Sequence, residues 1–413
     1  MKIALISLDL TRESADSRIV FSVAKAYEKL GHQVVIYSAE FDPACFPDLY
    51  AGMDIRVARL NVPLMSLVGA RGFLGKVRER IRRNLLHRKA IARIVDMMDG
   101  DFDIVHCHND ASFQLVKRYK QKNPWVRAIW TMNEVPFQRL RQKDLASEMV
   151  NILTLAWETI LAKRHIKYID VLVVLDERRR GVAEKLTASV KVLAMPVDYR
   201  KFYAPVKDHR TARRVVLMGV GALHPTRRFE DILLAGATLR KQGLNAEVNL
   251  VCPDHWKNKE YREYLLEIAE EAGMAGHVRF EFGQLPRDRF HRAYRESDVF
   301  VFLNQHKIWG TSPLEAMAGG LPLIAARNTS VAQALEEGKS VLLVDPRRPD
   351  QIAERVRTLF ETPGLYRKIA RKGQEFAKTR TWEDYARNLV QFALEGEVGA
   401  KDRSPAFPER GRI

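Results

Sequence analysis

Short apolar runs alternate with helix-length segments along most of this sequence, and this pattern limits the folds that the chain can adopt. The runs are rich in β-branched and aliphatic residues without polar alternation, which is typical of strands buried on both faces of a sheet. Residues 16–30 separate the first two runs and carry apolar positions at helical spacing before Gly31. Strand, helix, strand at this spacing predicts parallel sheets covered by helices. The predicted strands lie at 3–8, 33–38, 103–107, 128–132, 171–175, 215–220, 247–252, 277–282, 298–303 and 321–326.

The alternation is interrupted once, at 196–213, by a polar stretch that contains proline. We interpret this stretch as a linker between an N-terminal Rossmann-like domain at 1–195 and a C-terminal domain at 205–378. A helix at about 380–396 is expected to pack back onto the first domain, and 397–413 is expected to form a loose tail. Two such α/β domains predict a central cleft that binds a ligand, because open parallel sheets bind ligands beyond the carboxyl ends of their strands.

The net charge calls for an acidic partner. With 68 Lys and Arg against 51 Asp and Glu, the formal charge is +17, which favours nucleic acid, an anionic membrane surface or a phosphorylated small molecule. No stretch reaches 18 apolar residues, and the apolar run at the N-terminus is too short for a signal peptide. The cysteines are far apart and lack metal-ligand spacing, so we expect no disulfide framework, no structural zinc and a reducing, cytoplasmic compartment. They are Cys45, Cys107 and Cys252.

Nearly half of this charge lies at 69–94, where nine Lys or Arg stand against one acid, Glu79. Apolar residues at helical spacing make this stretch a basic amphipathic helix, with its stripe at Leu74, Val77, Ile81 and Leu85. Two interpretations stay open: the helix binds an anionic membrane surface, or it packs its apolar stripe onto the domain. The sequence has no zinc-finger, RNP-like or helix-turn-helix signature, so we expect no nucleic-acid partner.

The most informative segment is 298–326, in which a strand, a loop containing Gly310 and a new helix follow one another. Ser312 suits the N-cap of this helix, and Pro313 suits its first position. Free amides at such a helix start form an anion site. The alternative is that Glu315 only closes a capping box with Ser312 and binds nothing.

The string GTSPLEAMAGGLPLIAA in this segment resembles the signature of the retaining nucleotide-sugar glycosyltransferases of the GT-B fold, glycosyltransferase family four. This resemblance implies two Rossmann-like domains facing a central cleft and a nucleotide diphosphate sugar as donor. Gly310, Thr311 and Ser312 would lie against the diphosphate, and Glu315 would hold the ribose hydroxyls. A carboxylate that accepts from two vicinal hydroxyls is a chemically reasonable ligand.

Two further segments are similar to donor-binding parts of the family. In VRFEFGQLP, the resemblance makes Gln284 and Leu285 contacts of the nucleotide base. In LMGVGALHPTRRFEDILLA, Arg227 takes the place of the family's phosphate-binding Lys, with Arg228 beside it. Cations at a helix N-terminus are disfavoured by the dipole, so this pair indicates an anion there; the alternative is a solvated helix start.

The sequence departs from the family where the transferred sugar would lie. Lys307 stands where the first of the family's paired glutamates is expected, and it is either exposed to solvent or in contact with the diphosphate. WTMNEVP resembles the family's Thr-x-His-Asp/Glu, with Asn133 at the histidine and Glu134 at the acid. HCHNDASF resembles its His-x-His loop, which makes His108 a candidate; the alternative is a polar loop with Asn-Asp turn chemistry. These four residues are the candidate catalytic set.

The sequence therefore predicts a retaining glycosyltransferase that moves a sugar from a nucleotide diphosphate to a lipid-linked or envelope glycan acceptor at the inner face of the cytoplasmic membrane. No divalent metal and no cofactor are expected, because the arginines and the helix start neutralise the diphosphate. One alternative is a non-catalytic relative or partner subunit that binds nucleotide sugars. A second is a nucleotide-sugar epimerase, whose acid and base would come from His106, His108 and Glu134.

Overall fold

The chain folds into two compact α/β units. The computed structural model describes residues 1–60, 72–108, 111–132, 152, 159–187, 189–207, 214–252, 258–283, 285–305 and 309–395. The first unit comprises Met1–Leu193 and the segment that begins at Ala386, and the second comprises Ala194–Tyr385. The predicted α/β class with two parallel sheets is confirmed.

The first unit is built on a sheet of seven parallel strands. Its strand order is β5-β3-β1-β6-β7-β8-β9. Successive strands are added on one side of β1 up to β5 and on its other side from β6 onward, as in doubly wound folds. Two short strands, β2 and β4, pair separately. The strands are β1 (Lys2–Ile6), β2 (Asp9–Leu10), β3 (Gln33–Ser38), β4 (Glu40–Phe41), β5 (Asp54–Val57), β6 (Ile104–His108), β7 (Arg127–Met132), β8 (Val171–Val174) and β9 (Val190–Val192).

Helices cover this sheet, and local sequence signals set their ends. The first begins where the Ser14 hydroxyl accepts from the amide of Ser17, and Gly31 follows it in the left-handed region at φ 82°. Side chains from the third helix, among them Ile94, pack into the core with Trp130 of β7. The labelled helices are α1 (Ala15–Lys29), α2 (Pro47–Tyr50), α3 (Gly72–Met97), α4 (Leu115–Lys122) and α5 (Glu177–Ala183). Residues 159–166 are also helical.

The second unit is built on a sheet of six parallel strands in the order β12-β11-β10-β13-β14-β15. Its buried face carries aliphatic side chains such as Leu217, Leu250 and Ile324, which pack against the helices. The order reverses between β10 and β13. The strands are β10 (Arg214–Val220), β11 (Asn245–Cys252), β12 (Val278–Phe282), β13 (Val299–Phe302), β14 (Leu323–Ala326) and β15 (Leu342–Val344).

Helices complete this unit and return the chain to the first one. They are α6 (Tyr199–Phe202), α7 (Phe229–Lys241), α8 (Lys259–Glu271), α9 (Arg287–Glu296), α10 (Ser312–Ala318), α11 (Ser330–Gln333), α12 (Pro349–Glu361), α13 (Leu365–Lys378) and α14 (Trp382–Glu395). The first of these lies within the stretch interpreted as a linker, and its Phe202 packs against Tyr294. The last begins in the second unit and ends in the first, where Glu395 pairs with Lys191 at 3.6 Å. Within the described ranges, none of the helices combines the length and apolar composition needed to cross a membrane.

The basic helix predicted at 69–94 corresponds to α3 from Gly72 onward. Its apolar stripe does not pack onto the unit as one interpretation required: Leu74 is 80% exposed, Ile81 56% and Leu85 52%. The helix is instead anchored further along the chain, where Ala90 and Ile94 are fully buried. The predicted stripe is therefore largely open to solvent.

Candidate active site

The carboxyl edge of the second sheet brings two loops together at the point where strand order reverses. One follows β10 and the other follows β13, the position at which open α/β sheets bind ligands. The backbone amide of Gln305 donates to the carbonyl of Thr226 over 2.9 Å, which joins the two loops directly. The two loops that carry predicted donor residues are therefore in direct contact at this edge of the sheet.

Arg227 lies across a glycine in the first of these loops. Gly221 has φ 155°, a conformation that side chains rarely adopt, and a Cβ built on it would lie 2.9 Å from Nε of Arg227. The Arg227 side chain occupies the space that any other residue at 221 would fill. The Arg227 guanidinium therefore lies against the backbone at the end of β10.

Arg228 has a different environment from its neighbour. Its guanidinium pairs with Glu230 at 2.6 Å and with Asp231 at 2.7 Å, and both carboxylates are buried. Glu230 and Asp231, in the first turn of the same helix, thus compensate the unfavourable interaction of the Arg228 cation with the helix dipole.

The helix that follows the second loop begins one residue earlier than the sequence indicated. Ser312 is its first residue, and Thr311 stands at the cap with helical backbone angles and no side-chain hydrogen bond to the helix. The prediction of Ser312 as N-cap is wrong, because the chain already turns helically at Thr311. The capping box that was the alternative interpretation of Glu315 therefore lacks the N-cap hydrogen bond that Ser312 would have accepted.

Glu315 is buried against a neighbouring helix. It is 2% exposed, and its Oε2 accepts a hydrogen bond of 2.7 Å from the hydroxyl of Tyr294 in α9. A buried carboxylate needs such donors to remain charged in the protein interior. Glu315 is therefore a fixed, buried acid at the end of the site rather than a solvated helix residue.

Gly310 has a conformational reason to be glycine. Its φ of 72° lies in the left-handed region, and a Cβ would come within 3.0 Å of Cζ of Phe302. The loop is thus held tightly against the end of β13. Thr311 and Ser312 follow it, and both residues are partly exposed.

The remaining donor residues are only partly described. Leu285 is half-buried between β12 and α9, next to Gly283, whose φ is 94°. Gln284 and Lys307, the predicted base contact and the residue at the altered glutamate position, lie outside the described residues. So do Asn133 and Glu134 of the first unit.

In the first unit, His108 is the last residue of β6 rather than part of the following loop. It is 1% exposed, and His106 on the same strand is fully buried. His106 contacts Thr131 at 2.7 Å and Tyr27 at 3.2 Å, and burial, with His108 nearby, lowers its pKa well below the ordinary value. The strand predicted at 103–107 thus extends one residue further, to His108, and Asn109 and Asp110 of the alternative polar turn lie outside the described residues.

Residues 201–376 match the family model described as glycosyl transferases group 1. The second unit of the chain therefore belongs to this glycosyltransferase family. The match spans the second unit, which contains Gly221, Arg227, Gly310 and Glu315. The family predicted from GTSPLEAMAGGLPLIAA is confirmed.

The chain is also similar to curated proteins that are named glycosyltransferases. The chain is 29% identical over 234 residues to a D-inositol 3-phosphate glycosyltransferase of Rhodococcus opacus, covering 54% of this chain and 52% of the relative. It is 29% identical over 327 residues to the protein of that name from Corynebacterium urealyticum, covering 74% and 75%. The match thus spans about half the length of the first of these glycosyltransferases and three quarters of the second.

Solved structures show that this glycosyltransferase has the GT-B fold. HepE of Anabaena, solved in complex with UDP and glucose, superposes with a TM-score of 0.72 at 15% identity and covers 96% of this chain and 100% of HepE. Sucrose-phosphate synthase of Thermosynechococcus elongatus superposes with a TM-score of 0.67 at 18% identity, covering 95% and 98%. At such identities the likeness concerns the fold alone.

Three contacts of the site were not predicted from the sequence. These are the Tyr294 bond to Glu315, the acids that hold Arg228, and the bond between Gln305 and Thr226. The second had a local signal, since Arg228 is followed by Glu230 and Asp231 at turn spacing. The other two join segments that are distant in sequence. Among the described residues, no group of three or more His, Cys, Asp or Glu could hold a metal ion.

Proposed function

We propose that this glycosyltransferase is a retaining enzyme that transfers a sugar from a nucleotide diphosphate to a lipid-linked or envelope glycan acceptor at the cytoplasmic membrane face. The observation that supports the donor most directly is the buried carboxylate of Glu315. Glu315 lies on α10, the helix that follows the second loop, and accepts a hydrogen bond from Tyr294 of α9. Its distance in sequence from Gly310 matches the family signature. A carboxylate fixed in this way is suited to accept from two ribose hydroxyls.

The diphosphate is expected between the two loops. Arg227 supplies a guanidinium, which can form two parallel hydrogen bonds to phosphate oxygens. The partly exposed residues Gly310 and Thr311 supply the opposite side through their backbone amides. These groups are fixed before the substrate arrives, so they stabilise the charge that develops on the departing diphosphate without reorganisation. We expect this to suffice without a divalent metal.

The chemical step requires little more of the protein than charge stabilisation and positioning. The bond between the anomeric carbon and the diphosphate oxygen breaks, and the diphosphate leaves with the electron pair. The acceptor oxygen bonds to the anomeric carbon on the same face, and its proton passes to the departing diphosphate. In this proposal, Asn133 and Glu134 orient the sugar, and His108 and Lys307 complete the surroundings of the reacting atoms.

The acceptor is proposed from the surface of the first unit. Helix α3 exposes Leu74, Ile81 and Leu85 among arginines and lysines, and an exposed apolar stripe beside positive charge fits an anionic lipid surface. Each basic side chain near such a surface contributes about 1 kcal/mol. A helix that binds the membrane in this way would bring a lipid-linked acceptor to the enzyme.

The names of the relatives add a second acceptor to be tested. Inositol 3-phosphate is an anionic polyol that is free in solution and therefore differs physically from a lipid-linked acceptor. Transfer to inositol phosphate without vesicles would exclude the membrane part of the proposal and leave the donor part intact.

The non-catalytic alternative remains the second candidate because Lys307 and Asn133 replace a glutamate and a histidine of the family pattern. One experiment separates the two. The purified protein is incubated with UDP-, GDP- and dTDP-sugars in the presence of EDTA, with and without membrane extract, and is followed by calorimetry and mass spectrometry. Binding with turnover supports the proposal, and binding without turnover supports the alternative. Absence of binding to every nucleotide contradicts both.

A further inference from the structure

Arg228 has a backbone conformation that is unusual for its side chain. Its φ of 56° and ψ of 43° lie in the left-handed region, where the Cβ of a non-glycine residue crowds the following carbonyl. The residue separates the turn Pro225–Arg227 from α7. The left-handed conformation of Arg228 therefore needs compensating interactions.

Buried acids provide them. Nε and Nη2 of Arg228 donate to the two carboxylate oxygens of Asp231 over 2.9 and 2.7 Å, and Nη1 pairs with Glu230 at 2.6 Å. The hydroxyl of Tyr261 donates to the other oxygen of Glu230 over 2.5 Å and accepts from the amide of Phe229 at 3.1 Å. All three nitrogen atoms of the Arg228 guanidinium thus have partners within the protein. These contacts with buried acids hold Arg228 in its left-handed conformation.

The conformation of Arg228 also determines where Thr226 and Arg227 lie. The carbonyl of Thr226 points to the amide of Gln305, and the side chain of Arg227 extends across Gly221. A residue at 228 with an ordinary helical or extended backbone would rotate the turn and move both groups. The position of Arg227 thus depends on the conformation of Arg228.

We propose that Arg228 is a positioning residue: held in the left-handed conformation by Asp231, Glu230 and Tyr261, it fixes Arg227 across Gly221 for the diphosphate of the donor. This proposal rests on the proposed nucleotide-sugar function. It differs from direct phosphate binding by Arg228 because the effect comes from the backbone of residue 228 and not from its charge.

The difference can be measured by comparing two substitutions that remove the same charge. Arg228→Ala removes the ion pairs and retains a Cβ that disfavours the left-handed region, whereas Arg228→Gly adopts that region freely. By titration calorimetry with UDP, we expect about tenfold weaker binding for Arg228→Ala and recovery to within about threefold of wild type for Arg228→Gly. Equal losses in both variants would overturn the proposal, since a direct contact or the charge alone would then explain them.

A second arm identifies the route through Arg227. In an Arg227→Ala background, Arg228→Ala should cause no further loss of UDP affinity, because the residue that it positions is gone. Uridine, which lacks the diphosphate, should bind all variants equally. A loss that persists in the Arg227→Ala background would overturn the proposal. If Arg228→Ala does not fold, as judged by circular dichroism, Asp231→Asn replaces it with the same expected pattern.

The outcome for wild type is informative by itself. If it binds none of UDP, GDP and ADP, the proposed function fails and this inference fails with it. If it binds UDP and the two substitutions at 228 behave alike, only the positioning role is overturned.

Discussion

The hydroxyl of Tyr294 donates to the carboxylate of Glu315 over 2.7 Å, and both residues are almost fully buried. The tyrosine ring stacks on Phe300 with centroids 6.0 Å apart and meets Phe202 edge-on at 5.3 Å. Rings on both sides restrict its movement, so its hydroxyl is a fixed donor. This contact joins α9 to α10 and orients the acid that we assign to the ribose.

Tyr294→Phe removes that donor without changing the ring. We expect a loss of about 1–3 kcal/mol in the free energy of unfolding, because Glu315 keeps its burial and loses a hydrogen bond. UDP affinity should fall about fivefold as the carboxylate loses its orientation. Urea unfolding and calorimetry measure the two effects.

Tyr366→Phe is the matched control. Tyr366 is equally buried, and its hydroxyl donates over 2.8 Å to the carbonyl of Asp298 rather than to Glu315. It should lower stability and leave UDP affinity unchanged. Equal effects of the two substitutions on affinity would show that the Tyr294 contact serves only the fold.

Gly310→Ala tests the loop that is expected to face the diphosphate. The new Cβ meets Phe302 at 3.0 Å in a left-handed residue, so both strain and collision oppose it. Gly338 has nearly the same φ, 71°, with nothing within 4 Å of its Cβ, and Gly338→Ala therefore isolates the conformational cost of about 1 kcal/mol. We expect Gly310→Ala to lower the unfolding temperature further than this control does.

The loop also predicts a difference in binding between these two variants. Gly310→Ala should weaken UDP binding because the backbone beside Thr311 shifts, whereas Gly338→Ala should not. Unchanged UDP affinity in Gly310→Ala would remove this loop from the donor site.

The exposed stripe of α3 predicts membrane binding that depends on apolar contact. Ile81→Ser combined with Leu85→Ser should reduce cosedimentation with phosphatidylglycerol vesicles about tenfold, because each side chain loses part of the roughly 1.5–3 kcal/mol of full burial. The unfolding temperature should change little, since both residues are exposed. Leu266→Ser combined with Leu394→Ser, at 38% and 50% exposure on other helices, should change nothing. Equal sedimentation of wild type with phosphatidylcholine vesicles would end the membrane proposal.

His106 predicts a loss of stability in acid. Burial lowers its pKa in the folded state well below 6.5, so the unfolded chain takes up the proton first as the pH falls. Stability is complete above about pH 6.5 and declines below it, by about 1.4 kcal/mol between pH 7.5 and 5.5 for one such histidine. His87, whose pKa is lowered to about 4 by burial and by Arg83, adds a similar contribution.

Urea unfolding across this pH range measures the slope. In His106→Asn, the free energy of unfolding should fall less steeply as the pH is lowered, because unfolding takes up one proton fewer. This expectation concerns the slope and does not depend on the stability of the variant at pH 7.5. A slope identical to that of wild type would show that His106 does not titrate as described.

The sequence predicted the framework of both units because buried parallel strands are continuous apolar runs. It missed β5 and β9, which are only partly buried and contain charged residues, and β15, which has three residues. It also missed the two-residue strands β2 and β4. The order of the strands, and hence the meeting of the two loops at Thr226 and Gln305, depends on tertiary pairing that periodicity does not encode.

The site shows the same division. Gly310 and Glu315 were found because their spacing matches a family signature. The partner of Glu315 was not, because Tyr294 comes from another helix 21 positions earlier. The apolar stripe of α3 was recognised as a stripe, but periodicity identifies a face without identifying what covers it. Only the exposure of Leu74, Ile81 and Leu85 distinguishes the two interpretations.

The central claim is that Glu315 binds the ribose of a nucleotide diphosphate, and Glu315→Gln tests it most directly. Glutamine retains an oxygen that can accept from Tyr294, so the fold should remain intact, while the charge that binds the hydroxyls is lost. Calorimetry should show at least tenfold weaker UDP binding, and the preference of wild type for UDP over 2′-deoxy-UDP should disappear. Unchanged UDP affinity and an unchanged preference in a folded Glu315→Gln variant would contradict the account.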